Sequence, residues 1–108
     1  MKRRAAAPAG RAKPRVFKAR MSGGGTIDVP IGELFTLSGF QFVVHHPIRD
    51  GNVLKKWWNV SEYSTGGLAV SEFWDTKRTA KLELEQQLTG ERLLYFAKQC
   101  SQHEKINV

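Results

Sequence analysis

Between Phe40 and Phe73 the chain alternates apolar and polar side chains with a period of two, in three short runs separated by turn signals. That period is the repeat of a β-strand, whose successive side chains point to opposite faces. The runs are Phe40–His46, stopped by Pro47, then Trp57–Tyr63, then Leu68–Phe73. Arg49-Asp50-Gly51-Asn52 reads as a turn after the first run, and Ser64-Thr65-Gly66-Gly67 as a tight hairpin turn joining the second to the third. The alternation assigns faces. Phe40, Phe42, Val44, Trp58, Val60, Leu68 and Val70 share one face, nearly all apolar, which reads as core. Gln41, Val43, His45, Trp57, Asn59, Ser61, Tyr63, Ala69, Ser71 and Phe73 fall on the other. That mixture of polar and aromatic groups suits a surface that meets a partner.

The flanks complete the fold class. Ile27, Val29 and Ile31 alternate around Pro30, as an edge strand or an extended lead-in does. Glu33–Leu37 fits either a helical turn or another short strand. After the sheet, Asp75 or Thr76 is placed to cap a helix in which Ala80, Leu84 and Leu88 recur at four-residue spacing. Thr89-Gly90 breaks it, and a last helical stretch from Glu91 to about Gln102 gathers Leu93, Phe96, Ala97 and Cys100 on one side. Residues 103–108 read as a frayed end. The expected fold is α+β: a three- to four-stranded antiparallel sheet with one or two C-terminal helices over its apolar face.

Charge divides the chain at its hinge. Residues 1–20 hold eight cations and no acid: Lys2, Arg3, Arg4, Arg11, Lys13, Arg15, Lys18 and Arg20. The other 88 residues hold nine cations and ten acids, so the whole net charge of +7 belongs to the tail. Ala, Pro and Gly fill the tail, and Ser22-Gly23-Gly24-Gly25 closes it as a flexible hinge. The expected organisation is a basic tail over 1–25, disordered or ordered by a partner, and a domain over 26–108. Such a tail neutralises phosphates without reading sequence, and its affinity falls steeply with salt.

Little in the chain points to catalysis. His45 and His46 are adjacent, so on a strand they face opposite ways and chelate one ion poorly. No Cys-x-x-Cys or His-Glu-x-x-His pattern accompanies them, and neither a metal nor a cofactor is expected. Cys100 and His103 stand one helical turn apart, yet no orienting acid or oxyanion donor joins them. Cys100 reads as a small buried apolar residue. The glycine run lacks the lysine and spacing of a phosphate loop. An enzyme is therefore not expected. The single cysteine fits a reducing, cytoplasmic setting, and no apolar run is long enough to span a bilayer.

The strand runs, the Gly-containing hairpin and Phe73-Trp74-Asp75-Thr76-Lys77-Arg78-Thr79-Ala80 opening a helix resemble a known small module. Residues 40–88 look like the AP2-like arm-binding domain of tyrosine integrases, with Thr76, Lys77 and Ala80 matching its Thr-Lys-x-x-Ala helix start. The resemblance implies a three-stranded sheet lying in the DNA major groove, braced by a helix. Carried over, the contacts fall on Gln41, Trp57, Asn59, Ser61 and Ser71. The family carries Arg and Lys on that sheet, where this chain has Glu62 and Glu72. In size and lack of catalytic parts the chain also resembles small phage and plasmid proteins that block host complexes, including inhibitors of CRISPR effectors.

Two functions follow as expectations. The first is a non-enzymatic protein that associates with nucleic acid or a nucleoprotein complex through the tail cations and docks through Gln41, His45, Trp57, Asn59, Ser61, Tyr63 and Ser71. The second is an inhibitor from a mobile element that binds a host protein through the same sheet face. Neither involves a membrane.

Overall fold

A computed structural model describes residues 15–107. The described chain runs β1 (Val16–Arg20), β2 (Thr26–Pro30), β3 (Glu33–Leu37), β4 (Phe40–His45), β5 (Ile48–Arg49), β6 (Asn52–Val53), β7 (Asn59–Glu62), α1 (Lys77–Gln87) and α2 (Gly90–Gln102). This is the expected α+β class. The main sheet is antiparallel with order β3-β4-β7, in a register that sets Phe35 opposite Phe42 and Val44 opposite Val60. Glu33–Leu37 is thus a strand, not a helical turn.

The apolar face carries the helices, as the alternation requires. Phe42, Val44 and Val60 are buried against Ala80, Leu84 and Leu88. Thr76 caps α1, its hydroxyl accepting the Thr79 N–H at 3.0 Å. α2 rests more lightly. None of its residues is fully buried, and Phe96 anchors it edge-on against Phe40, with ring centroids 5.1 Å apart.

The other sheet face is not open. β1 and β2 form an antiparallel hairpin that lays Phe17, Ala19 and Val29 over Val43, with Ile27, Leu34 and Tyr63 packed around them. Two parts of the sequence reading are corrected here. First, residues 16–20 are a strand of the fold, not part of a detached tail, because Phe17 and Ala19 alternate inward and pack in the cluster that covers Val43. Second, Ser22–Gly25 is the turn of that hairpin, not a hinge. Met21 N–H reaches the Gly25 carbonyl at 3.1 Å, and Gly24 and Gly25 take φ of 97° and 77°, where a Cβ would be strained.

The run Leu68–Phe73 also departs from expectation. It begins as a strand beside β7, with Glu62 N–H bonded to the Gly67 carbonyl and Ala69 N–H to the Val60 carbonyl. It then leaves the ladder and rejoins at Trp74, which exchanges two backbone hydrogen bonds with Trp58 at 2.7 and 2.9 Å. Five steps of chain from Ala69 to Trp74 face two steps from Val60 to Trp58, so the surplus bulges out and no continuous strand forms.

The C-terminal end is a clasp, contrary to the frayed end expected. Ile106 and Asn107 N–H both donate to the Ser64 carbonyl, at 2.7 and 3.0 Å. The Asn107 side-chain oxygen accepts from Lys18 N–H at 2.7 Å, and its amide donates to the Lys18 and Tyr63 carbonyls at 2.8 and 2.7 Å. One side chain thereby pairs with a strand edge as a neighbouring strand would. Asn107→Ala leaves the Lys18 N–H and two carbonyls without these partners. It should destabilise the fold by about 2–3 kcal/mol in chemical denaturation, with amide exchange at Lys18 accelerating more than exchange in β4.

Candidate nucleic-acid interface

The hairpin changes the fate of the proposed docking residues. His45, Asn59 and Ser61 are buried, and Tyr63 is half-buried under β1 and β2. His45 lies beside Phe17, with ring centroids 5.3 Å apart. Its Nδ1–H donates to the His46 carbonyl at 2.9 Å, and its Nε2 accepts from the Ser61 hydroxyl at 2.8 Å. Both nitrogens are satisfied in the neutral ring, and burial pushes the His45 pKa down. These are core groups. Gln41, Trp57 and Ser71 remain exposed, and they do not form one face: Gln41 lies in β4, Trp57 in the loop before β7, and Ser71 in the bulge.

The tail cations divide in the same way. Lys2, Arg3, Arg4, Arg11 and Lys13 lie outside the described residues. Arg15 is exposed. Lys18 pairs with Asp28 across the hairpin at 3.1 Å. Arg20 is structural: its guanidinium donates to the Thr65 carbonyl at 2.8 Å and the Glu104 carbonyl at 2.7 Å.

A different cluster gathers at one corner of the molecule. β5 and β6 form a small hairpin closed by Asp50-Gly51, and a turn from Leu54 to Trp57 follows, its N–H to carbonyl bond 3.1 Å long. This stretch holds Arg49, Lys55 and Lys56 against a single acid, Asp50. The Trp58–Trp74 pairing brings the start of α1 alongside. His46 stacks on Trp58 with centroids 3.9 Å apart, and Lys77 Nζ sits 5.4 Å from the same ring. Arg49 lies 5.5 Å from the Phe73 ring. Trp57, by contrast, is 44% exposed, while its carbonyl is held by His46 Nδ1–H at 2.8 Å.

Arg15, the first described residue, is bonded to the segment that leads to this corner. The Arg15 carbonyl accepts from Ile31 N–H at 2.8 Å, and a Cβ on the next residue, Gly32, would fall 2.6 Å from the Trp58 ring. Sequence reasoning did not single out His46, Arg49, Lys55, Lys56 and Lys77 as candidates, whereas Phe73 was already placed on the partner-facing side. The signal was the run Lys55-Lys56-Trp57-Trp58, basic and aromatic in turn, which the near-zero charge of the whole domain concealed.

A concavity of about 570 Å³ lies between the 67–70 segment and α2, lined by Leu68, Val70, Leu88, Tyr95 and Phe96 over Glu62 and Cys100. Burial drives the Glu62 carboxyl up, but hydrogen bonds from the hydroxyls and N–H groups of Ser64 and Thr65, 2.6–2.9 Å long, outweigh it and hold the pKa low. Burial, then the Glu62 charge and hydrogen bond, push the Cys100 thiol up to about 11. A thiol so hard to ionise is a poor nucleophile. Among the described residues no group of three His, Cys, Asp or Glu side chains is arranged to hold a metal, and no helix is long and apolar enough to cross a membrane. Comparison with protein-family models, curated proteins and solved structures finds no match.

Two core groups with lowered pKa contribute to the acid response. His45 resists protonation when folded, so the unfolded chain takes up the proton first and stability falls as pH drops below about 6.5. Glu62 is held ionised when folded, so its contribution is present above about 4.5 and is lost as pH falls through its lower folded value. Denaturation midpoints measured from pH 8 to 3 should fall in these two stages. His45→Gln should flatten the upper stage and Glu62→Gln the lower.

Proposed function

We propose that the chain is a non-enzymatic nucleic-acid-associated binding protein whose basic arm and aromatic–basic corner act together on the phosphate backbone. The observation that carries this reading is the gathering of His46 and Lys77 on Trp58 and of Arg49 on Phe73 beside the Lys55–Trp57 turn, with Arg15 bonded through its carbonyl to Ile31, the residue before the Gly32 that approaches Trp58. Cations placed around aromatic rings suit a polyanion that also offers flat faces. The integrase-like groove contact is a less fitting version of the same idea, because Asn59 and Ser61 lie under the hairpin. A reducing, cytoplasmic setting belongs to the same proposal.

A second reading, an inhibitor from a mobile element that docks on a host protein, draws support from the groove beside α2. Leu68 and Tyr95 are 53% and 66% exposed at its rim.

The arm must be removed without damaging the fold. Deleting residues 1–20 would take β1 away and uncover Val43, so the informative truncation removes residues 1–14 alone. Fluorescence anisotropy against salt is expected to give a log–log slope that shrinks by about 3–5 on that truncation, for the five cations removed. Lys55→Ala with Lys56→Ala should shrink it by about 1–2 more. Equal slopes for all three proteins would overturn the reading. A nuclease-resistant protein complex that is lost in Tyr95→Ala and kept in the double lysine variant would favour the inhibitor instead.

A further inference from the structure

We infer that the nucleic acid is single-stranded, with an unpaired base stacked on the indole of Trp57 while Arg49, Lys55 and Lys56 hold the flanking phosphates. This rests on the reading of the chain as a nucleic-acid-associated protein and adds the form of nucleic acid that it takes.

The inference starts from the contrast between two neighbouring tryptophans. Trp58 is occupied: His46 stacks on it, Lys77 lies over it, Gly32 approaches it, and its backbone is paired with Trp74. Trp57 carries no such ring partner among the described residues, yet its backbone is fixed at both polar groups. Its N–H donates to the Leu54 carbonyl at 3.1 Å, and its carbonyl accepts from His46 at 2.8 Å. An exposed indole on loose chain would be ordinary surface. An exposed indole on fixed backbone, directly after two lysines, is a rigid flat platform inside positive potential. Such a platform stacks a base face, which every nucleotide possesses and only an unpaired one presents.

The same corner is poorly built for a duplex. Reading a major groove takes a helix or a β-ribbon long enough to lie in it. The β5–β6 ribbon has two residues per strand and an acid, Asp50, at its tip. α1 begins with Lys77 and Arg78 but continues through Glu83 and Glu85. Base faces in a duplex are hidden in the stack, so Trp57 would find no partner there.

The test uses the full chain and labelled oligo-dT and oligo-rU of about fifteen nucleotides, each beside a duplex of the same length. The expected result is a preference for single strands of at least about tenfold, with Trp57→Ala losing at least about tenfold on single strands and almost nothing on duplex. Trp57→Phe should keep most of the affinity, and indole fluorescence quenching by the oligonucleotide should be absent in Trp57→Ala. Circular dichroism establishes that the variants are folded. The dT and rU arms separate DNA from RNA as the source of the strand. Equal or tighter duplex binding, or unchanged single-strand affinity in Trp57→Ala, overturns this inference and leaves the broader function standing. No binding to any of the four at low salt overturns both.

Discussion

A buried carboxylate that makes no salt bridge among the described residues organises the centre of this molecule. Glu62 ends β7 with 3% of its surface exposed, and among the described residues it takes part in no salt bridge. A buried charge of this kind persists only if its lone pairs are filled. Ser64 and Thr65 fill them with two hydroxyls and two backbone N–H groups. Wrapping four donors around one carboxylate forces the chain into a tight turn, and the turn's carbonyls then face outward. The Thr65 carbonyl receives Arg20, the Gly66 carbonyl receives the Arg20 N–H, and the Ser64 carbonyl receives the C-terminal clasp. The N-terminal strand, the sheet edge and the C-terminal end therefore meet at one turn because one carboxylate needs it.

That junction holds the hairpin over the sheet, and the hairpin gives the sheet a second apolar layer. Phe17, Val29 and Val43 are each 2% exposed or less. Side chains of this kind contribute about 1.5–3 kcal/mol each when removed from water. A chain of 108 residues has few such groups to spend, and the helices alone bury one face of a three-stranded sheet. Covering both faces lets Phe42, Val43 and Val44 all reach full burial, which a two-layer fold would not allow.

Those three consecutive residues show where the fold was legible and where it was not. The helix positions Ala80, Leu84 and Leu88, the Thr76 cap and the break at Thr89-Gly90 follow from local chemistry, and the structure has them all. The face containing Phe42, Val44 and Val60 was legible for the same reason. The opposite face was misread because alternation says that two faces differ and does not say what lies over the second one. An unbroken Phe-Val-Val run was the available hint of a strand covered on both sides. The basic residues around Phe17 and Ala19 hid a strand whose apolar alternation spans only five positions. At the candidate site, Trp57 was singled out from the sequence, but the neighbours that give it meaning come from Trp58–Trp74 pairing and from the path of β1. Those contacts join residues tens of positions apart, and no local pattern encodes them.

The division of labour among the cations follows from the same geometry. Along β1 and the residue before it they change role: Arg20 satisfies carbonyls at the Glu62 turn, Lys18 answers Asp28 across the hairpin, and Arg15 bonds through its carbonyl to Ile31, next to the Gly32 that approaches Trp58. One short strand ties a structural end to the end proposed to bind. Because β1 is clamped by Asn107 and the Glu62 turn, Arg15 leads into a strand that is itself anchored to the sheet. A strand held by the proposed arm contact would be tethered to the same fold as Trp57, and tethering turns the second contact into an intramolecular one. Two individually weak contacts, phosphates on the arm and one base on an indole, combine into useful affinity only when the distance between them is set. In this protein the proposed tether is β1, gripped by a side-chain amide from the other end of the chain.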